Sequence, residues 1–379
     1  MEHRFRHLLL IQVLVALAGS SAGTFGVVYL AKEGMAPGQG FSSAEAPLFY
    51  LFGFFFASLF CVVMASLPSI RAKTSMAVGL LAFGAAYLGW AAFRGHVLVT
   101  FVPFFYGVSI PLFYLPFNAL IIKRTTPGNR GMRMGVIFLV VTVMAVIAPT
   151  MAGAIIGVAG YHVLFIFGFL LLLADAIIVM IVIEKDHNLC FRIDYASFGR
   201  RNVAAMFFEG CFEGLSFSLI PLITLSFIRG EQELGYIFSI FALAGGAMTL
   251  ALGFLSDRIR RRYLFMWAGA VASSLFALMV SVAPNLGAFV AGNSLLQLTG
   301  SVAPLFIFAM MADIGEGDAA SVSATREALL NAGRAFSLSL FFVAAMAGVG
   351  IQAAFICASV YLLLMLTGKS PPVDKVKIE

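Results

Sequence analysis

Apolar stretches long enough to cross a lipid bilayer recur from one end of this sequence to the other. Hydrophobic residues make up 61% of the 379 residues and charged residues only 11%, about half the charged share of a typical soluble domain. A run of about 18 or more apolar residues is the length of a transmembrane helix, and a soluble core cannot use so much apolar surface. The sequence therefore predicts an all-α membrane protein.

We expect twelve transmembrane helices, separated by charged or turn-forming segments. Their predicted ranges are 8–31, 47–68, 75–93, 97–122, 134–157, 161–183, 203–228, 234–255, 263–283, 287–312, 327–347 and 350–368. Arg4 and Arg6 before an apolar core resemble a secretory signal, but the apolar character continues to Ala31, which is too long for a cleaved one.

The basic residues lie almost entirely on one side of this arrangement. With a cytoplasmic N-terminus, only Lys32, Arg94 and Arg229 of the 24 Lys and Arg residues lie outside. This asymmetry favours an even number of helices and places both termini in the cytoplasm. We expect the protein in the plasma (inner) membrane. Because the basic residues lie in short loops, the net charge of +6 indicates topology rather than binding to nucleic acid.

The longest connection in the middle of the chain, 184–202, carries charges and no apolar periodicity. It predicts a cytoplasmic linker between an N-terminal six-helix bundle at 1–183 and a C-terminal six-helix bundle at 203–379, which ends in a short cytoplasmic tail. A basic turn follows the second predicted helix of each half, as expected of two structural repeats.

The second of these turns carries a motif. Residues 253–262 read GFLSDRIRRR, which resembles the major facilitator superfamily signature Gly-x-Leu-x-Asp-Arg-x-Gly-Arg-Arg, with Arg260 in place of the inner Gly. The first turn keeps Leu67 but has Ser69 where that family usually has Asp. The resemblance covers the whole chain, and it implies two six-helix bundles that alternate access to a central cavity.

The resemblance also implies a contact that closes the cytoplasmic side. The carboxylate of Asp257 would accept hydrogen bonds from the N-terminus of the fifth helix, near Arg133, although it could instead only mark the membrane edge. Arg326 and Arg334, at the start of the eleventh predicted helix, would pair with acidic side chains there or anchor the helix at the interface. Those acidic candidates are Asp257, Asp313 and Glu316. The predicted cytoplasmic gate comprises Arg133, Asp257, Arg258, Arg261, Arg326 and Arg334.

A weaker resemblance lies in the fifth predicted helix. Residues 144–153, MAVIAPTMAG, are similar to the antiporter signature of the family, with Pro149 and Gly153 kept. Small residues also permit close helix packing, so this segment favours antiport only slightly.

Two carboxylates lie inside the seventh predicted helix. Glu209 and Glu213 are four residues apart, so both side chains project from one helix face, with Ser216 above them. A carboxylate in hydrocarbon costs about 2.5–3.5 kcal/mol on insertion scales, so it normally faces protein or water. We predict that this pair carries protons, the alternative being that Glu209 reaches cytoplasmic water or pairs with Arg200 or Arg201.

In the fold that the chain resembles, the first, fourth, seventh and tenth helices line the cavity. Their polar side chains are therefore candidates for contact with a substrate, although a lone Ser or Thr in a membrane helix usually bonds to its own backbone. The predicted cavity residues are Gln12, Thr24, Tyr106, Tyr114, Asn118, Ser216, Asn293 and Gln297.

The sixth predicted helix contains Asp175, for which we expect a structural hydrogen bond to a neighbouring helix. No Lys or Arg is predicted at mid-depth in any helix. A cavity with acids and no fixed cation suits an apolar, neutral or cationic solute better than an anion, which needs a positive partner.

These features predict a secondary transporter for a small molecule, and efflux of a lipophilic or cationic compound in exchange for protons is the first choice. Proton-driven uptake of a neutral solute such as a sugar or siderophore is the alternative, as is a lipid flippase of the same fold. The sequence shows no ATP-binding loop, catalytic constellation or metal-binding His cluster, so we expect no enzyme activity, cofactor or metal. The expected partners are the substrate, protons and the lipid bilayer, and we expect a monomer.

Overall fold

The computed structural model describes residues 2–124, 130–183, 188–256, 262–314 and 318–367. Eight of the described helices are long and apolar enough to cross a membrane, and one of them, 136–182, has the length of two crossings. The segments Phe265–Ser281 and Ile351–Thr367 are shorter apolar helices.

The first six membrane-crossing segments, or spans, follow one another along the chain. Span 1 comprises Glu2–Ala18, Gly19–Gly23 and Thr24–Glu33, span 2 is Leu48–Ser66, span 3 is Ala72–Ala92, span 4 comprises His96–Thr100 and Val102–Lys123, and spans 5 and 6 lie within Arg130–Val182. Gly160, with a φ of 81°, separates span 5 from span 6, because that backbone conformation is unstrained only for glycine.

The second six spans repeat this layout. Span 7 is Tyr195–Phe227, span 8 is Glu231–Ser256, span 9 is Arg262–Ser281, span 10 comprises Leu286–Gly300 and Val302–Ile314, span 11 is Ala319–Met346, and span 12 comprises Ile351–Ala353, Ala354–Leu364 and Met365–Thr367. The predicted all-α fold with twelve membrane-crossing segments is therefore confirmed over the described ranges. Three starts differ by six or more residues, since span 1 begins at Glu2 rather than 8, span 7 at Tyr195 rather than 203 and span 11 at Ala319 rather than 327.

The earlier start of span 7 has a local cause. Asp194 accepts hydrogen bonds from the backbone amides of Ala196 and Ser197, both at 3.1 Å, and so caps the helix. Hydrogen bonds from the Ser197 hydroxyl and amide hold the pKa of Asp194 below its ordinary value. Gly199, with a φ of 72°, then bends the chain into the membrane-crossing part of the span. Before the cap, the strand Asn188–Leu189 pairs antiparallel with Ile70–Arg71, which follows span 2.

The two halves pack closely where span 5 crosses span 8. A Cβ added at Gly153 would lie 2.5 Å from the carbonyl oxygen of Glu231, and one added at Gly235 would lie 2.5 Å from that of Pro149. The Thr150 hydroxyl is hydrogen-bonded to the Ser239 hydroxyl at 2.9 Å. Close packing thus accounts for the Pro and small residues at 144–153.

Candidate functional site

Spans 7 and 11 cross with their backbones in contact. A Cβ added at Gly210 would lie 2.2 Å from the carbonyl oxygen of Leu330, and one added at Gly333 would lie 2.1 Å from that of Phe207. Gly214 approaches Arg334 in the same way, at 2.7 Å from its Cα. Glycine at these positions brings the polar side chains on the two helices within bonding distance.

Two glutamate–arginine pairs form beside this crossing. Arg326 Nη2 donates a hydrogen bond to Glu209 Oε1 at 2.6 Å. Arg334 donates to Glu213 Oε2 from both Nη2, at 2.5 Å, and Nε, at 3.0 Å. The two carboxylates therefore lie on one face of span 7, as the four-residue spacing predicts, and both meet charges on span 11.

The two pairs differ in the exposure of their side chains. The side chain of Glu209 is 0% exposed, and its second carboxylate oxygen has no hydrogen-bond partner among the described residues. The side chains of Glu213 and Arg334 are 22% and 13% exposed. Of the two pairs, Glu213–Arg334 is the one whose carboxylate has access to a solute or proton.

A third carboxylate joins the cluster and connects it to the other half. Glu327 Oε1 lies 3.7 Å from Arg326 Nη1 and accepts a hydrogen bond from Asn118 Nδ2, on span 4, at 3.3 Å. Glu327 is buried and was not among the sequence candidates. We call Glu209, Glu213, Glu327, Arg326 and Arg334 the charged cluster, which thus holds three carboxylates and two guanidinium groups.

Aromatic rings from the N-terminal half border the cluster. The guanidinium carbon of Arg334 lies 5.2 Å from the centroid of the Phe54 ring, which is close enough for a cation–π contact. The Phe54 ring packs against Tyr50 and Tyr106, with centroid separations of 6.0 and 6.1 Å. Arg334 Nη1 also donates to Asn331 Oδ1 at 2.8 Å.

The positions of the two arginines correct the sequence analysis. Arg334 lies near the middle of Ala319–Met346, so the prediction that no basic residue lies at mid-depth is wrong. Its carboxylate partner is Glu213, rather than one of the predicted acids at the cytoplasmic edge. Arg326 pairs with Glu209, which replaces the predicted alternatives for that glutamate, water or Arg200 or Arg201. The cause is the earlier start of span 11, which places both arginines deeper.

The predicted cavity residues have different surroundings. Tyr106 and Asn118 contact members of the cluster or its aromatic border, and Ser216 lies one turn beyond Glu213 with its Oγ buried and without a described partner. Gln12 and Asn293 are buried, the amide of Asn293 has no described partner, and Thr24, Tyr114 and Gln297 are half-buried. The described contacts do not join Gln12, Thr24, Asn293 or Gln297 to the cluster.

The hydrogen bonding of Asp175 differs from the prediction. Its side chain is 0% exposed, and neither carboxyl oxygen has a hydrogen-bond partner in the described part of the chain. The predicted structural hydrogen bond to a neighbouring helix is therefore wrong.

Only part of the predicted cytoplasmic gate can be placed. Arg133 donates a hydrogen bond to the carbonyl oxygen of Arg124, and its guanidinium carbon lies 5.1 Å from the ring centroid of Phe5. Asp257, Arg258 and Arg261 lie outside the described residues, as does Glu316.

A second contact between the halves lies at the end of the molecule that the sequence predicts to face outwards. Lys32, at the end of span 1, donates hydrogen bonds to the carboxylate of Glu231 and, at 2.5 Å, to the carbonyl oxygen of Arg229. The Tyr161 hydroxyl donates to the same Glu231 oxygen at 3.2 Å. Spans 1, 6 and 8 are thus held together at this end.

Comparison with known proteins finds a matching family. Residues 203–378, in the C-terminal half of the chain, match the sequence model of the Major Facilitator Superfamily. This half of the chain is therefore similar in sequence to that superfamily. No curated protein matches the chain in sequence.

The fold of the whole chain is similar to that of solved transporters. The human organic anion transporter MFSD10 superposes with a TM-score of 0.67 at 16% identity, covering 96% of this chain and 98% of that one. The transporter FucP in its outward conformation gives 0.66 at 13% identity, with 96% of each chain covered. A second structure, of the Escherichia coli fucose:proton symporter FucP, gives 0.66 at 14% identity and the same coverage. At these identities, the likeness shows the fold alone.

Proposed function

We propose that this protein is a proton-coupled secondary transporter of a small molecule, working by alternating access, in which Glu209 and Glu213 bind and release the proton. Glu213 is the exchanging group, because it is the more accessible of the two. The observation that supports the proposal most is the Glu213–Arg334 pair, which is half-buried near the middle of span 11 and borders Phe54 of the N-terminal half.

The charges of the cluster favour proton binding. With every group ionised, three carboxylates face two guanidinium groups, so one negative charge is uncompensated among the described members. An uncompensated charge in a medium of low dielectric constant is costly, and a carboxylate in such a place binds a proton. Buried ion pairs also contribute little net stability, which makes a purely structural role a poor reason to place them here.

Protonation of Glu213 would change contacts between the halves. It removes the negative charge that holds Arg334, whose guanidinium group lies against Phe54 of span 2. Arg334 belongs to the C-terminal half and Phe54 to the N-terminal half, so the position of the guanidinium group contributes to the relative free energies of the conformations. A proton that binds the two conformations with different affinity shifts the equilibrium between them. The contact between Glu327 and Asn118 couples the same cluster to span 4.

The proposal keeps proton coupling and changes the expected substrate. The prediction of a lipophilic or cationic solute depended on the absence of a basic residue at mid-depth, and Arg334 occupies that depth. The packing of span 5 against span 8 explains the weak antiporter resemblance, so that resemblance no longer favours efflux. A transport assay distinguishes efflux from uptake.

The test uses the full chain reconstituted in vesicles with a pH-sensitive dye inside. Organic anions, organic cations and sugars are added in turn, and the movement of protons that accompanies each solute is recorded. We expect one class of solute to move protons with the wild-type protein and with the control Glu233→Gln, an exposed glutamate at the start of span 8. Glu213→Gln should abolish this movement, and wild-type proton movement in Glu213→Gln would contradict the proposal.

A further inference from the structure

We propose that the substrate carries an anionic group, a carboxylate or an anion of similar shape, which binds Arg334 in place of Glu213 after Glu213 has taken up a proton. This inference rests on the proposed function and names the class of substrate for the same site. Anion and proton would then cross together, as symport.

The bonding of Arg334 leaves a place for such a group. Its Nε and Nη2 form the edge that binds a planar anion through two parallel hydrogen bonds. In the structure both nitrogens donate to a single oxygen, Glu213 Oε2. A ligand carboxylate would offer one oxygen to each nitrogen, so it can compete with Glu213 once the glutamate is neutral.

The other arginine is a poor candidate for the same exchange. Arg326 is held by Glu209, whose side chain is 0% exposed, and Arg326 also lies 3.7 Å from the Glu327 carboxylate. Displacing Glu209 would require opening of the packed crossing between spans 7 and 11. Arg334 and Glu213, at 13% and 22% exposure, need no such opening.

The border of the cluster suits the rest of an organic anion. The Phe54 ring lies next to the Arg334 guanidinium group, and Tyr50 and Tyr106 pack against that ring. Such a wall favours an apolar or aromatic body attached to the anionic group, because ligand sites combine apolar walls with a few placed polar groups.

Charge balance predicts the sign of coupling. Protonation of Glu213 adds one positive charge to the cluster, and the bound anion adds one negative charge, so the loaded cluster has the same net charge as the empty one. Without the proton, the bound anion would take the net charge of the cluster from −1 to −2, which is costly in a medium of low dielectric constant. Proton and anion should therefore bind with positive cooperativity, which is the requirement for symport and differs from the antiport expected from the sequence.

The experiment measures binding of three probes of one shape to the purified full chain by calorimetry. The probes are naphthylacetate, naphthylacetamide and naphthylethylamine, which are anionic, neutral and cationic. We expect naphthylacetate alone to bind, more tightly at about pH 6 than at about pH 8, with uptake of about one proton per anion.

Variants separate the roles of the two partners. Arg334→Gln should weaken naphthylacetate binding about tenfold or more, because it removes a charge-assisted pair of hydrogen bonds, and Arg334→Lys should retain part of the affinity. Glu213→Gln should have the opposite effect, giving binding that is at least as tight as in the wild type and independent of pH. Glu233→Gln, the same change at an exposed position at the start of span 8, should keep the pH dependence. Gel-filtration profiles check that each variant is folded.

If Glu213→Gln does not fold, the number of protons that the wild type takes up per bound naphthylacetate still tests the inference. Naphthylacetate binding that survives Arg334→Gln, or preferential binding of naphthylethylamine, overturns the inference. If vesicles still show proton movement driven by another solute, proton-coupled transport stands and only the anionic substrate is rejected. If neither binding nor transport involves proton uptake, the anionic substrate and the proposed function are both rejected.

Discussion

The pairing of Glu213 with Arg334 makes a quantitative prediction for a double-mutant cycle. The changes are Glu213→Gln, Arg334→Gln and the two together, each of which keeps a similar side-chain volume. The structure joins the two side chains by hydrogen bonds of 2.5 and 3.0 Å at low exposure, so each partner compensates the charge of the other.

The magnitudes follow from which charge is left alone. Glu213→Gln removes the charged acceptor of two hydrogen bonds from Arg334, and we expect a loss of about 3 kcal/mol in the free energy of unfolding, the lower end of the usual range for removing one partner of such a pair. Arg334→Gln should cost less, because Glu213 can become neutral by binding a proton. The double variant should cost less than the sum of the single changes, by about 2 kcal/mol.

The assay is reversible unfolding of the purified protein in mixed micelles, titrated with a denaturing detergent and followed by fluorescence. Glu233→Gln combined with Arg334→Gln serves as the control cycle, since Glu233 is exposed at the start of span 8, and its effects should be additive. Additivity within about 0.5 kcal/mol for Glu213 and Arg334 would refute the reasoning, because it would mean that neither side chain compensates the other.

Three further predictions concern other parts of the molecule. Gly210→Ala should destabilise the fold by about 1–3 kcal/mol, because its Cβ would meet a carbonyl oxygen of span 11 at 2.2 Å, whereas Gly157→Ala, with nothing within 4 Å, should be neutral or slightly stabilising in thermal unfolding. Glu231→Gln should weaken the contact with Lys32 and raise the labelling of cysteines placed between spans 1 and 8 at that end of the molecule; unchanged labelling would contradict the idea that this contact holds the spans together. Asp194→Ala should increase amide hydrogen exchange in the first turn of span 7. The pKa of Asp194 is lowered in the folded protein, so its cap is fully present above the ordinary aspartate pKa and is lost as pH falls through the lowered pKa of the folded state. Amide exchange of the wild type in that turn should therefore rise in the same acidic range.

The sequence predicted the spans well because their signal is local. A bilayer requires long apolar helices, and the charges and turns that end them are readable residue by residue. The four-residue spacing of Glu209 and Glu213 likewise determined that they share a face. The same local reasoning fails at Ala319–Met346, because the polar residues at the start of this helix shift the predicted start to 327.

The partners of the two glutamates could not be predicted locally. Arg326 and Arg334 lie more than a hundred positions along the chain from them, and only the fold brings spans 7 and 11 together. One signal was nevertheless present, because Gly210 and Gly214 form a Gly-x-x-x-Gly pattern next to both glutamates. That pattern is typical of a close helix contact, and it would have placed the carboxylates at an interface.

Glu327 shows a related limit. Its position next to Arg326 gives no sign of burial, whereas the structure buries it and joins it by a hydrogen bond to Asn118 of the other half. The contact of Lys32 with Glu231 is also between distant segments that the sequence places only on the same side of the membrane.

Proton exchange at Glu213 is the central claim, and infrared difference spectroscopy of the purified protein on acidification measures it most directly. On acidification, the wild type and Glu233→Gln should gain the C=O stretching band of a protonated carboxyl group in an apolar environment, a band that Glu213→Gln lacks. The same band in Glu213→Gln, or its absence from the acidified wild type, would contradict the claim.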